Sequence, residues 1–391
     1  PDMGTPVGWY FLLKPFAAAG LPFQAQQIVT LMLVWTAVAL LIFQSPFSLL
    51  QSICWCLSWY LLFEYSVMSR NYTLGLLGIF ALLGAYSDSG SARPRMVQWF
   101  VAWPLIIWSS VHFLALVPGL LLLSLTLGYG DARGRRQFLL AHLWPVALFG
   151  LAVWTLWPSG QGQMGPHWVP LYKPRNWLIA TSFGVFTEPP TATALTYLAP
   201  LIFGFWLLLC RARWRDTFAL VVMTLAVNAI FVFVYFHESR RYCGMNWIIL
   251  VVAAWVGTLV SRRRGASGGR WRESIMTVSL LALTCFNLKD VVPLLRKEIA
   301  LPFTDAGSTA RYLQDAGLLS EPIACSLPPL CSAMLGSLPS STRFWYPGID
   351  QWGTHMFWNQ TYLRSLRLSP YQGFLRAKAF FHDTEHRDTF I

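Results

Sequence analysis

Residues 232–247 read VFVYFHESRRYCGMNW, so an apolar run arrives, turns through His-Glu-Ser-Arg-Arg and leaves into a second apolar run over 248–260. If both runs are membrane helices, the charged residues form a hairpin at one face of the bilayer. Exposed ionisable groups at such a place either mark the orientation of the chain or hold a ligand. The choice depends on the face on which the hairpin lies.

The composition indicates a membrane protein. The 391 residues are 55% hydrophobic and only 12% charged, and several apolar windows are long enough to cross a hydrocarbon core of about 30 Å. The 20 Trp and 14 Tyr are typical of the aromatic belts at two membrane interfaces. The predicted fold class is therefore mostly α, a polytopic membrane helix bundle.

Scoring the apolar runs predicts about ten spans. Two of them, 73–86 and 97–108, are short for complete spans. The ten runs are 28–43, 47–66, 73–86, 97–108, 113–127, 138–156, 195–210, 218–236, 245–260 and 275–291.

Arginine-rich loops alternate regularly along these spans, which orients the chain because cytoplasmic loops carry an excess of Lys and Arg. The three strongest loops contain eleven arginines and nearly account for the net charge of +12, so nucleic acid is excluded as a partner. The loops predicted to be cytoplasmic contain Arg133, Arg135 and Arg136, then Arg211, Arg213 and Arg215, then Arg262, Arg263, Arg264, Arg270 and Arg272, and are joined by Arg93 and Arg95.

The remaining loops then face outward, together with both termini and everything after residue 291. Several basic residues lie on this face, where basic residues are disfavoured, so a topology signal does not explain them. They are Arg70, Lys173, Arg175, Arg240 and Arg241.

Hydropathy falls near residue 297, which divides the chain into a transmembrane domain, 1–296, and an outer α/β domain, 297–391. Residues 308–317 predict a helix with a serine cap and a glycine stop. Strands are predicted at 322–325 and near 343–346, with a helix starting at Pro328-Pro329 between them. A third strand is expected after 374–381, so the domain is expected to be incomplete.

Cys325 and Cys331 fall in this outer domain, where an oxidising compartment permits a disulfide between them. Cys54, Cys56, Cys210 and Cys285 lie in or at spans and are interpreted as packing residues. Clusters of His or acidic residues with convincing metal spacing are missing, so no metal is predicted.

The outward-facing arginines suit a phosphate headgroup, because guanidinium groups pair bidentately with phosphate oxygens and keep their charge. A lipid tail in a groove between Trp- and Phe-rich spans would complete a polyprenyl-phosphate site. Duller alternatives remain for the same residues. In the alternative for Arg240 and Arg241, they pair with Glu238 or with lipid phosphates. In the alternative for Arg70, its side chain extends to the membrane interface.

His112 has two readings as well. It lies near the sugar or acceptor, or it is a histidine whose hydrogen bonds are satisfied between helices. Lys173 and Arg175 either contribute to the phosphate site or decorate a loop.

Four stretches of the chain resemble segments of a known family. Residues 63–75, FEYSVMSRNYTLG, resemble the E-Y-x-V-x-x-R-x-Y-x-L-G stretch of GT-C-type integral membrane glycosyltransferases, relatives of protein mannosyltransferases and the lipid A aminoarabinose transferase. Residues 109–112, SSVH, resemble their T-S-V-H segment. Residues 235–244 are similar to a Y-x-G-S-x-R-H-x-G hairpin of bacterial members, and 344–358 resemble part of their C-terminal domain.

The resemblance implies transfer of a sugar from a polyprenyl-phosphate carrier to an acceptor on the periplasmic face of a bacterial inner membrane. Membrane lipids and the carrier-linked sugar are the implied partners, and no cofactor beyond this donor is expected. Arg70, Arg240 and Arg241 would hold the phosphate. Transfer needs a carboxylate to take the acceptor's proton, and Glu238 is the candidate for this role. His112 is the second catalytic candidate.

The resemblance has departures. The family's acidic residue in the loop after its first transmembrane helix has no counterpart, because Asp2 stands in a different context, and Arg241-Tyr242 replaces an Arg-His pair. Three alternatives would explain the missing acidic residue. The gene is longer than this sequence, the first helix is a separate polypeptide, or the chain is a degenerate transferase scaffold. The last alternative is a structural or lipid-binding subunit that contacts other membrane proteins in a larger complex.

Overall fold

The computed structural model of the chain describes residues 8–21, 24–67, 71–87, 94–128, 135–156, 181, 193–210, 213–230, 240–264, 270–300, 305–325, 331, 334–339, 341–353 and 369–383. The helices of the membrane part are α1 (Gly8–Ala18), α2 (Gln24–Phe43), α3 (Leu49–Cys56), a π-helix (Tyr60–Glu64), α4 (Tyr65–Val67), α5 (Tyr72–Ala85), α6 (Met96–Ile107), α7 (Val111–Gly128), α8 (Arg135–Ala141), α9 (Leu143–Leu156), α10 (Thr193–Leu209), α11 (Trp214–Ala229), α12 (Arg240–Arg263) and α13 (Arg270–Ala300).

The chain is mostly helical, and its apolar helices fall into a long and a short group. In the described part of the chain, five helical segments rather than ten are long and apolar enough to cross a membrane. Three apolar helices are shorter, and a helix of 12 residues such as α6 is only about 18 Å long. The five long segments are Ala25–Phe43, Val111–Gly128, Arg136–Leu156, Tyr242–Arg263 and Trp271–Lys297.

Helices α5 and α12 form the centre of the bundle. Every residue of α5 is buried, and this helix packs against α2 and α6. A helix that is apolar on all sides is stable only when other helices or lipid surround it. Helices α2, α9 and α13 are at the periphery and expose most of their apolar side chains, as lipid-facing helices do.

Helices α7 and α11 approach closely because of one glycine. A Cβ atom added at Gly119 would lie 2.6 Å from the carbonyl oxygen of Ala219, so only glycine allows the two backbones this separation. Small residues are common at such contacts in membranes, where helix association depends on van der Waals packing.

The C-terminal ends of α5, α7 and α12 meet at one end of the bundle, which we call the arginine end. Arg263 donates hydrogen bonds to the carbonyl oxygens of Tyr86 and Leu127, which follow α5 and end α7. A cation is stabilised at a helix C-terminus, where backbone carbonyls lack helical partners. Arg263 therefore holds three helix ends together.

Arg213 caps the same end of α7 and forms a partly buried ion pair. Its guanidinium donates to the two carboxylate oxygens of Asp216 at 2.7 and 2.8 Å and to the Thr126 carbonyl oxygen at 3.1 Å. The Thr126 hydroxyl also donates to Asp216 at 2.8 Å. The Asp216 side chain is only 2% exposed, so its charge depends on these partners.

We expect Arg213→Ala to destabilise the protein by about 3 kcal/mol, because it leaves the Asp216 carboxylate buried without its cation. Thermal unfolding in detergent, followed by near-ultraviolet circular dichroism, measures the effect. Arg215→Ala is the matched control, since Arg215 is exposed and packs over the Trp214 ring at 5.6 Å. Equal melting temperatures for the two variants would disprove a structural role of the Arg213–Asp216 pair.

A small subdomain follows α13. Its three-stranded sheet has the order β1-β2-β3, with β1 and β2 parallel and β2 and β3 antiparallel. A disulfide joins Cys325, next to β1, to Cys331. The elements are α14 (Ala306–Asp315), a 3₁₀-helix (Leu318–Ser320), β1 (Ile323–Ala324), β2 (Phe344–Tyr346), β3 (Gln351–Gly353) and α15 (Pro370–Asp383).

Two details of this subdomain differ from the sequence prediction. Helix α14 begins after Asp305, so the predicted serine cap is wrong, whereas the glycine stop is present as Gly317 with φ of 69°. The third strand lies before residues 374–381 rather than after them, because a turn through Asp350, with φ of 52°, returns the chain beside β2. The helix expected at Pro328-Pro329 falls mostly outside the described residues.

Candidate functional site

The predicted span over 47–66 is interrupted in the structure. Helix α3 ends at Cys56, and the chain continues through the π-helix Tyr60–Glu64 into α4. The Ser58 hydroxyl accepts a hydrogen bond from the Leu61 amide inside this break. Single π-helical turns in α-helices often occur at functional sites. This turn delivers two tyrosines and one carboxylate to the end of the bundle opposite the arginine end.

Three buried tyrosines come together there. The rings of Tyr65 and Tyr72 are stacked at 5.8 Å with an angle of 9°, and the rings of Tyr60 and Tyr65 are also 5.8 Å apart. Trp247 of α12 adds a ring 5.7 Å from Tyr60. The consecutive π-helix, α4 and α5 thus share one aromatic cluster with α12, which is distant in sequence.

His112 lies inside this cluster. Its ring stacks on Tyr242 at a centroid distance of 4.4 Å and an angle of 16°. The Tyr72 hydroxyl and His112 Nδ1 are hydrogen-bonded at 3.4 Å. The histidine is 6% exposed, and tyrosines from two other helices fix its position between helices.

A polar contact joins the start of α5 to the turn before α7. The Asn71 side-chain amide donates to the Ser109 carbonyl oxygen, and the Thr73 hydroxyl donates to the Tyr65 carbonyl oxygen. Residues from the stretches 63–75, 109–112 and 235–244 therefore meet at one place, which we call the tyrosine end. It consists of Tyr60, Tyr65, Asn71, Tyr72, Ser109, His112 and Tyr242.

Gly244 allows α12 to approach this cluster. A Cβ atom at this position would overlap the Tyr65 hydroxyl and the Tyr60 ring. The glycine that ends the third resembling stretch thus has a packing function beside the tyrosines.

The three central helices run in the same direction through the bundle. Since their C-terminal ends meet Arg263, the N-terminal ends of α5, α7 and α12 lie at the tyrosine end. Helix N-termini carry partial positive charge and favour anions. The electrostatic polarity of the bundle therefore places arginines at the carbonyl ends and leaves an anion-favouring region at the tyrosine end.

Arg240 and Arg241 are in the first turn of α12 rather than in the predicted hairpin turn, directly before Tyr242. Cations are unfavourable at a helix N-terminus unless an anion offsets them. The backbone thus places both residues beside the tyrosine end. Arg70, Lys173, Arg175 and Glu238 lie outside the described residues.

Sequence reasoning overlooked Glu64 as a candidate. This half-buried residue ends the π-helix and directly precedes Tyr65. An ionisable residue within an apolar run is a signal for function that was available in the sequence. Glu64 provides a described carboxylate beside the aromatic cluster, so the tyrosine end has an acid–base candidate besides Glu238.

Within the described ranges, no group of three His, Cys, Asp or Glu side chains is placed to hold an ion. The absence of a metal stays a prediction.

The tyrosine end combines aromatic faces, a histidine, a carboxylate and helix N-termini, a set suited to an anionic ligand with a ring.

Comparisons with protein-family models, with curated proteins and with solved structures find no match to this chain.

Proposed function

We propose that this protein is a membrane glycosyltransferase that moves a sugar from a polyprenyl-phosphate donor to an acceptor on the periplasmic face. In this proposal the bundle is GT-C-like and crosses the membrane about ten times. The observation that carries the proposal is the convergence of Asn71–Tyr72, Ser109–His112 and Tyr242–Gly244 at the tyrosine end.

Charge at the tyrosine end supports a phosphate ligand. Three helix N-termini point to it, and Arg240 and Arg241 occupy the first turn of α12. Arg70 directly precedes Asn71, whose side chain is bonded to the Ser109 carbonyl. These three arginines would bind the phosphate oxygens bidentately, with Lys173 and Arg175 contributing from the long loop.

The transfer follows from these roles. The bond between the anomeric carbon and the phosphate oxygen breaks, and the acceptor oxygen forms the new bond to that carbon. The arginines stabilise the negative charge that develops on the departing polyprenyl phosphate. The acceptor's proton passes to a carboxylate, for which Glu64 and Glu238 are the candidates, while His112 lies near the sugar or acceptor.

The orientation proposed for the chain agrees with this placement. The arginine end carries Arg213 and Arg263 and would face the cytoplasm, which puts the tyrosine end on the periplasmic side of a bacterial inner membrane. The disulfide between Cys325 and Cys331 favours the same side for the C-terminal subdomain, since disulfides persist in oxidising compartments.

A second candidate is a structural or lipid-binding subunit on a degenerate transferase scaffold. Trp35 favours it, because this side chain lies in the middle of α2 and is 69% exposed. Tryptophan prefers the membrane interfaces, so an exposed ring at mid-helix favours packing against another protein chain. Isolation of the protein within a stable membrane complex would support this role.

Native mass spectrometry of the full-length protein tests the proposed ligand. We expect retention of undecaprenyl phosphate over undecaprenol, which has the same tail without the phosphate, and over phosphatidic acid, which has phosphate on a different tail. Equal retention of all three lipids, or of none, would contradict the transferase proposal.

A further inference from the structure

Helix α15 has one apolar face that packs on the sheet of the C-terminal subdomain. Phe380 stacks on Trp345 of β2 at 4.4 Å with an angle of 15°, and Ala377 is buried beside it. The start of the helix is fixed by a capping box, in which the Ser369 hydroxyl accepts from the Gln372 amide and the Gln372 side chain accepts from the Ser369 amide. The helix therefore has a defined rotation about its axis.

A second apolar face of α15 is exposed. Tyr371, Phe374 and Leu375 are 69%, 50% and 44% exposed, and Lys378 continues the same stripe one turn later. The spacing i, i+3, i+4 and i+7 places these four side chains on one side of a helix. Trp352 of β3, 41% exposed, lies near the helix, with its ring 6.3 Å from Phe381.

We propose that this face of α15, formed by Tyr371, Phe374, Leu375 and Lys378, rests on the surface of the bilayer that holds the helix bundle. Aromatic and aliphatic side chains would enter the boundary between headgroups and acyl chains. Lys378 would contact anionic headgroups.

The connection to the membrane part favours the bilayer as the occupant. The candidate span Trp271–Lys297 is followed by the end of α13 at Ala300, and α14 begins at Ala306. Five residues between the helices reach at most about 18 Å. Leu294 and Leu295, near the end of α13, pack against the core of the bundle. The subdomain is thus tethered within a short distance of the membrane surface.

The composition of the face distinguishes lipid from a second protein copy. A tyrosine and a lysine beside apolar side chains on one helix face are typical of helices that lie in the interface plane. The described part of this helix carries one acidic residue, Asp383 at its C-terminal end, so its exposed surface complements anionic lipid. The inference is independent of sugar transfer and holds for either proposed function.

Photo-cross-linking of the full-length protein in vesicles of phosphatidylethanolamine and phosphatidylglycerol tests this surface. Benzoylphenylalanine replaces Tyr371 in one variant and Tyr312 in the control, because both are exposed tyrosines of the same subdomain and the change keeps an aromatic ring. We expect lipid adducts at position 371, read by intact mass, at least several times more often than at position 312.

A charge reversal sharpens the test. Lys378→Glu in the position-371 variant is expected to lower the adduct yield about fivefold with phosphatidylglycerol and to have little effect in neutral phosphatidylcholine vesicles. Equal adduct yields at positions 371 and 312, or covalent protein dimers in place of lipid adducts at position 371, would overturn the inference.

Discussion

Arg241→Ala is expected to abolish sugar transfer and to weaken retention of undecaprenyl phosphate about 10- to 100-fold, while the protein stays folded. A hydrogen bond to a charged group contributes about 1.5–3 kcal/mol, and each 1.4 kcal/mol corresponds to a factor of ten. Arg70→Ala is expected to have a similar effect. Lysine at either position should restore part of the binding, because it keeps the charge but not the bidentate geometry.

The arginine variants need a control that removes a guanidinium elsewhere on the same side. Arg311→Ala serves, since Arg311 is exposed on α14 in the C-terminal subdomain. Each variant is first compared with the wild type by size exclusion and near-ultraviolet circular dichroism. If folded Arg70→Ala and Arg241→Ala proteins transfer sugar normally, the phosphate site lies elsewhere.

Gly244→Ala is expected to lower the stability of the protein by about 1–3 kcal/mol, as overpacking of a filled core does. The added methyl group overlaps the Tyr65 hydroxyl and the Tyr60 ring, and both rings are almost completely buried. Helix α12 must therefore move away from the tyrosine end. Sugar transfer should fall together with the melting temperature, because the same movement displaces Tyr242 from His112.

Two other helical glycines provide the comparison. A Cβ atom at Gly150 of α9 or at Gly204 of α10 meets no atom within 4 Å. Alanine at either position should be neutral or slightly stabilising, since alanine has the higher helix propensity. A melting temperature of Gly244→Ala equal to that of Gly150→Ala would show that α12 does not pack on the tyrosines as described.

Hydropathy predicted the helices well because apolar length is a local property. The runs 28–43, 113–127 and 275–291 lie within α2, α7 and α13. The run over 47–66 was misread as continuous, since its break depends on backbone hydrogen bonding at Ser58 and on packing of Tyr60 and Tyr65 against α12. The composition of this run predicts neither contact.

The candidate site was predicted unevenly. Resemblance brought His112 and the stretch ending at Gly244 to attention, and the structure places both in one cluster. The partners of His112 were not foreseen, because Tyr72 and Tyr242 are ordinary interface tyrosines in sequence. The sequence pattern favoured Glu238 over Glu64, because Glu238 is close to two arginines in the chain.

The arginines of the loops predicted to be cytoplasmic show the limit of a topology rule. Arg213 and Arg263 counted only as orientation signals in the sequence. In the fold, their acceptors include carbonyl oxygens 87 and 177 residues earlier in the chain. No local pattern predicts contacts across such separations.

Arg263 also bears on efforts to re-engineer how the protein inserts. Moving Arg263 in order to invert the chain in its membrane would also remove the hydrogen bonds that connect the C-terminal ends of α5, α7 and α12. In the proposed orientation, one side chain both directs insertion and stabilises three helix ends, so selection on either task constrains the other.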